Sequence, residues 1–322
     1  MFLFLLLSSG CDSAEIEAAR IEKLQSEIEE KRKVRSDLEK KIAEATDLET
    51  WVLASMPLQS LVVAIISSMG PGSGIVHLQL ERDAETPSQL RIRLVLNTAS
   101  DEQLEQTLEV IRKMNFRESN QTYTRSKGEL VYTAGLLWNN PQSQSREMPE
   151  QGQKSSATLP SISQGKAEGV DVGFEKAGAE ERELQTQLGL EQELLTSLQQ
   201  QSAELLNFVG KWKPFFVLVE QQQATEVAIS MRVREADLHT LSQRYEQVPN
   251  KIAEEDNASL PTLTRATLLF DDNYAKLMNW LGTMEKIKPT MRVGKLDLTN
   301  GSRGGDLRME LTLEVPLLRS GS

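Results

Sequence analysis

The chain has one cysteine, Cys11, and two histidines, His77 and His239, among 322 residues. A single thiol excludes an intramolecular disulfide framework and a cysteine-rich metal cage. Two isolated histidines leave little for an imidazole catalyst or a zinc site. Basic charge is also short, with 36 Lys and Arg against 47 Asp and Glu, a net charge of −11 and a pI near 5.0. That balance argues against a nucleic-acid binder, which needs a basic face. Aromatic residues are 5% of the chain. No Ser/His/Asp set or Cys/His pair has supporting context, so enzymatic chemistry is not expected.

What is present is enough for packed cores. Hydrophobic residues make up 39% and charged residues 26%, which excludes wholesale disorder. The length suits two small domains with connections. Residues 2–7 read Phe-Leu-Phe-Leu-Leu-Leu and are followed by Ser8, Ser9, Gly10 and Cys11. This run is about half the length of a spanning helix. It reads either as part of a membrane anchor or as a lipoprotein signal that would place a lipid on Cys11. Either tether puts the bulk of the chain outside the cytoplasm, in the periplasm for an inner-membrane anchor or on an outer-membrane lipoprotein.

From Ser13 to Thr50 the chain contains no Pro or Gly and is rich in Glu, Lys, Arg, Ala and Leu, all of which favour helix. Ile21, Leu24, Ile28, Leu38, Ile42 and Ala45 make a heptad seam that Lys31 and Arg35 interrupt. A second long helix over 179–212 carries Leu184, Leu188, Leu195, Leu198, Leu205 and Val209 on one seam. An isolated amphipathic helix buries nothing, so each seam is expected to meet a partner, and the two helices can pair with each other. Between them, residues 139–178 are polar and nearly free of apolar side chains, which reads as a flexible linker.

Each long helix leads into a small α+β unit. In the first, a short apolar helix over 58–69 stops at Gly70-Pro71-Gly72, and strands are predicted near 75–81 and 90–97. Ser100 and Gln103 form a capping box for the next helix, and strands follow near 116–124 and 129–137. In the second unit, 227–234 alternates Val227, Ile229, Met231 and Val233 against polar neighbours and reads as a strand, with 235–260 as an inserted helix and loop. Strands at 263–270, 291–299 and a last one through Leu307 to Val315 flank a helix capped at Asp271-Asp272. The expected architecture is α+β: two ferredoxin-like αββαββ two-layer sandwiches, each preceded by a coiled-coil-type helix. The boundaries are 1–11 for the anchor, 12–55 for the first helix, 56–138 for the first sandwich, 139–178 for the linker, 179–212 for the second helix and 213–318 for the second sandwich.

Candidate ligand sites resolve into structural features. Gly70 to Gly74 lacks a Walker Lys-Ser/Thr and is expected between helix and strand, so it reads as a turn. Gly301 to Gly305 is a hairpin loop. Asp271-Asp272 reads as a helix cap and Glu254-Glu255-Asp256 as a solvated loop, so no metal or cofactor is expected. Trp212, Phe215 and Phe216, around Pro214, form an aromatic cluster that reads as core or as a partner anchor.

With those motifs in place, the layout resembles the type IV pilus inner-membrane alignment proteins PilN and PilO and their type II secretion counterparts. Over residues 14–137 the resemblance is to PilN, through the helix 57–69, the Pro/Gly turn 70–74, His77-Leu78-Gln79-Leu80 and the helix 100–114. Residues 179–318 resemble PilO, above all from Leu263 to Val315. The resemblance implies a non-enzymatic, membrane-tethered scaffold whose partners are pilus or secretion platform proteins, with a homodimer also open and no small-molecule substrate. PilN and PilO are separate chains, each with one domain and a full membrane helix, whereas this chain holds both units and lacks the cytoplasmic tail of PilN. The competing expectation is a surface lipoprotein that binds an extracellular ligand, anchored through Cys11.

Overall fold

The computed structural model describes residues 9–69, 74–83, 86–97, 100–126, 129–139, 174–251 and 259–319. They fall into two compact units, one of residues 1–43 with 148–207 and one of residues 44–147 with 208–322. The run at 2–7, residues 70–73 of the Pro/Gly turn, most of the linker at 139–178 and the acidic stretch 254–256 lie outside the described residues.

The first unit is built from two long helices, α1 (Ser9–Ala54) and α4 (Phe174–Trp212), whose last turns belong to the second unit. The absence of Pro and Gly from 13 to 50 lets α1 run unbroken. Its inward positions repeat every three to four residues: Ile28 is buried, and Ile21, Leu24, Leu38 and Ile42 are half-buried. Leu184, Leu188, Leu195 and Leu198 are half-buried along α4.

The second unit is α+β and holds nine strands in one sheet. Its first half runs α2 (Gln59–Ser67), β1 (Gly74–Arg82), β2 (Gln89–Asn97), α3 (Asp101–Lys113), β3 (Phe116–Ser126) and β4 (Glu129–Trp138). Its second half runs β5 (Val217–Leu218), α5 (Gln222–Glu235), β6 (Thr240–Pro249), β7 (Thr262–Asn273), α6 (Tyr274–Ile287), β8 (Arg292–Asn300) and β9 (Asp306–Leu318). The main path of the sheet is β3-β4-β2-β1-β8-β9-β7-β6, antiparallel throughout, and the two-residue β5 adds to β9 in parallel. Where the sequence suggests two sandwiches, the structure has one continuous sheet.

One face of that sheet is apolar by strict alternation. Leu78 and Leu80 of β1, Ile92 and Leu94 of β2, Leu296 of β8, and Leu311 and Leu313 of β9 are all fully buried. Four helices cover this face, α2 touching both α3 and α6, and α6 touching α5. The opposite parity carries Glu81, Arg91, Arg93, Arg244 and Arg308, all exposed. Such one-sided patterning is how an antiparallel sheet meets a core on one face and water on the other.

Local signals explain most helix ends. Ser100 accepts from the Gln103 backbone while Gln103 accepts from the Ser100 backbone, the capping box that starts α3. At α6 the cap is Asn273, whose Oδ1 accepts from the Ala275 backbone at 2.9 Å; Asp271 and Asp272, read as the cap, are strand residues of β7 instead. Two further expectations are corrected. Residues 227–234 are helix, within α5, because Thr225, Ile229 and Val233 share a buried stripe at a spacing of four while Val227 and Met231 face solvent. The segment after it, read as helix and loop, contributes the edge strand β6.

The joint between the halves is the pairing of β1 with β8, from His77 opposite Thr299 to Glu81 opposite Lys295. Leu80 and Leu296 face each other there with no exposed surface, and His77 Nε2 meets Asp297 Oδ1 at 2.8 Å. Because one core spans both halves of the sheet unit, which holds all four tryptophans, its unfolding in urea is expected to follow a single transition of tryptophan fluorescence. Leu296→Ala is expected to lower stability by about 2–5 kcal/mol without splitting that transition. Two resolved transitions would contradict the shared core.

Candidate functional site

The sequence seams come together in the first unit around one buried charge. Glu191 of α4 lies at the same spacing as Leu184, Leu188, Leu195 and Leu198 and is 9% exposed. Its Oε1 accepts from Arg32 at 3.2 Å and its Oε2 from Arg35 at 2.5 Å. Arg35, which interrupts the α1 seam, is therefore matched by an interruption on α4. A single polar layer of this kind fixes the register of paired helices at some cost in stability. Off the seam, Val34, Leu190 and Leu194 are about half exposed.

In the second unit, sequence reasoning missed a cluster of buried charges that holds the end of α1 to the sheet. Arg82 continues the buried parity of Leu78 and Leu80 and is 7% exposed. Its guanidinium donates to the carbonyls of Ala54 at 2.9 Å, Pro87 at 2.5 Å, Val293 at 3.0 Å and Met56 at 3.3 Å. Those acceptors come from the end of α1, the turn after it, the β1–β2 loop and β8. Arginine suits the place because its planar fork presents several donors at once. Burial, and then repulsion from Arg292, lowers Arg82 to about 9, which keeps it charged at neutral pH.

Glu285 of α6 serves the start of α2 in the same way. Its carboxylate accepts from the backbone of Leu58 at 2.6 Å and of Gln59 at 3.2 Å, free donors at a helix N-terminus. Burial raises Glu285 to about 7, although those two hydrogen bonds and the charge of Arg82 oppose the rise.

A third element is a ladder on the polar parity. Arg292 lies 3.8 Å above the Trp51 ring and donates to Glu314 at 2.9 Å; Glu314 also accepts from Arg265 at 3.1 Å. Burial pushes Glu314 up, but Arg292 and Arg265 outweigh it and hold the carboxyl below its usual range. The indole of Trp51 donates to the Thr290 carbonyl at 2.7 Å. The only sequence signal for this cluster was parity: Arg82 is a charged residue in register with core leucines.

The remaining candidates take structural places. His77 lies in the β1·β8 joint, and His239 Nδ1 meets the Asp271 carbonyl at 3.1 Å. Asp271 accepts from the Ser302 backbone at 3.2 Å and Asp272 from the His239 backbone at 2.9 Å, so both acids brace loops. Among the described residues no group of three or more His, Cys, Asp or Glu is placed to hold a metal ion. Phe208, Trp212 and Phe215 form a series of tilted rings with centroids 6.2 and 6.1 Å apart; Phe216 is buried and Phe215 is 46% exposed. Cys11 lies in α1, with its side chain outside the description.

The segment Ile16–Ser67, which runs from α1 through the non-helical residues 55–58 into α2, is long and apolar enough to cross a membrane by length and composition alone. Its charge-free part is 51–67, where Trp51, Val52, Leu58, Leu61, Val62 and Ile65 are buried in the sheet unit.

The Glu285 carboxyl gives a signed pH prediction. Its folded pKa of about 7 exceeds its ordinary 4.5, so the folded state holds the proton more tightly. The contribution is full below pH 4.5 and is lost as the pH rises through about 7. At its upper bound it is on the order of 3 kcal/mol. Glu285→Gln, which cannot ionise, is expected to flatten the stability profile between pH 5 and 7 relative to the parent, as read by urea midpoints. Parallel profiles for the two proteins would show that Glu285 is not the titrating group. No family model, curated protein or solved structure matches this chain.

Proposed function

We propose that the chain is a non-enzymatic, membrane-tethered scaffold of a type IV pilus or type II secretion-like assembly platform. The observation that carries this reading is the repeated order of elements, a long helix with a heptad seam followed by an αββαββ unit, twice in one chain. Within each half the strands lie third, fourth, second, first. That is the order a ferredoxin-like βαββαβ sheet takes when its first strand is moved to the end of the chain. The first half then corresponds to a PilN-like unit and the second to a PilO-like unit.

On this reading the tether is the apolar run 2–7, and the sheet unit projects into the periplasm. Association runs through α1 and α4 and through the sheet edges. Supporting surfaces are the half-exposed Val34, Leu190 and Leu194 beside the seams and the exposed ring of Phe215. The function is alignment: the cluster of Arg82, Glu285 and Arg292 fastens the end of α1 to the sheet, so a pull on the helix is borne by the domain.

Crosslinking and capture of the tagged protein from its native membrane, read by mass spectrometry, tests the reading. Recovery of pilus or secretin-associated inner-membrane proteins is expected. Leu24→Asp combined with Ile28→Asp is expected to reduce that recovery about tenfold or more, because a charge in an apolar helix seam costs several kcal/mol. Recovery of no platform component from either protein would overturn the assignment.

A further inference from the structure

The two halves repeat by translation along the sheet, and among the described strands this leaves β3 and β6 as a matching pair of end strands. The sheet path reads third, fourth, second, first for the initial half, then the same series in the same direction for the other. The internal joint therefore unites a first strand, β1, with a third strand, β8. The strands at the two ends of the path are β6, again a first strand, and β3, again a third strand.

The irregularities of these strands correspond as well. β1 has a register shift between Ile75 and His77 and pairs with β8 only beyond it, from His77 to Glu81. β6 has its shift between Thr240 and Ser242 and is regular from Ser242 onward. β8 has its shift between Val293 and Lys295, and its contact with β1 uses only Lys295 to Thr299. β3 has its shift between Ser119 and Thr122 and is regular from Thr122 to Ser126. Aligned on the shifts, Ser242–Glu246 takes the place of His77–Glu81, and Thr122–Ser126 takes the place of Lys295–Thr299. A bulge ordinarily blunts an edge strand against pairing. Here each bulge lies outside the stretch that the internal joint uses.

We propose that a second copy of this chain adds its β3, through Thr122–Ser126, to β6 of the first, through Ser242–Glu246, so that the β1·β8 joint recurs between molecules. The occupant follows from the chain itself, which already pairs these two kinds of edge and, among the described strands, ends its sheet on one further example of each. Transferring the internal register sets Ser242 opposite Ser126, Arg244 opposite Thr124, Tyr245 opposite Tyr123 and Glu246 opposite Thr122. Tyr245 and Tyr123 then occupy the places of Leu80 and Leu296, which face each other inside the chain. Tyr123 is 71% exposed at a sheet edge, and Thr122 to Arg125 all face solvent. An aromatic cross-strand pair is a favourable occupant of such a site. The contact is head-to-tail, so every added copy presents a new β3 or a new β6, and assembly continues as a ring or filament.

The test uses the purified full chain with Cys11→Ser, leaving introduced thiols as the only ones. Arg244→Cys and Thr124→Cys place a thiol on each exposed edge, on the same face and opposite one another in the proposed register. Mixing the two variants under mild oxidation is expected to give a disulfide-linked heterodimer, with little product from either variant alone. Sedimentation velocity of the cysteine-free parent is expected to show species larger than a monomer growing between about 1 and about 100 µM. Tyr123→Lys removes an exposed ring, so melting is expected to be unchanged while association weakens at least about fivefold. A monomer throughout that range with no mixed disulfide overturns the proposal, as does product formed mainly within one variant, which would mean edge pairing about a twofold axis. Association that Tyr123→Lys leaves untouched overturns it too. None of these readouts needs a membrane or a platform protein, so the result stands apart from the scaffold assignment.

Discussion

The Arg82 guanidinium is the fastening on which the sheet unit depends. It is desolvated almost completely, and a buried cation without acceptors is costly. Its acceptors come from parts of the chain that no regular ladder connects: the last turn of α1, the turn after it, the β1–β2 loop and β8. With Glu285 it treats the α1–α2 junction as two open helix ends, the side chain of Arg82 taking carbonyls from the first and that of Glu285 taking amides from the second. Two opposite charges thus do the work that a cap does locally, but from distant positions. Trp51, packed under Arg292, adds a further contact between the last turn of α1 and the sheet.

This has a mechanical reading. A helix joined to a domain by a flexible loop passes on little force, whereas one whose Ala54 carbonyl is held by Arg82 of β1, a side chain that also binds the Val293 carbonyl of β8, shares its load across the β1·β8 joint. The register of the helical unit is set separately, by Arg32 and Arg35 on Glu191. Each unit therefore has its own polar lock within otherwise apolar packing, the arrangement by which a few buried charges select one alignment among several that leucines alone would accept.

Much of this was legible from pattern. Alternation at 90–97 and 307–315, the capping box at Ser100 and the seams of α1 and α4 all report local physics, and local physics decided those elements. The misreadings have physical causes. Ile229 and Val233 lie four apart, a spacing that fits alternate positions of a strand and successive turns of a helix equally well. β6 has no apolar alternation because an edge strand buries little of itself, so Ser242 to Glu246 reads as loop. Asp271 and Asp272 are common cap residues, yet the chain turns one residue later, at Asn273. The charged cluster was beyond reach for a different reason. Arg82 and Glu285 are ordinary residues in sequence, and only the long-range pairing of β1 with β8 makes their surroundings dry.

That pairing also shapes how the protein is made. The first half is complete as soon as β4 has been synthesised, yet β1 then has a bare edge where β8 belongs, with Leu78 and Leu80 beside it. At roughly 5–20 residues per second the ribosome needs about 8–32 s more to reach Thr299. For that interval the nascent chain exposes an unpaired strand and an incomplete core, both routes to misassembly between neighbouring chains. The polar stretch over 139–178 and the long α4 are made within this interval. Slow elongation there should lower the yield of folded protein, and a factor that holds extended strands should raise it.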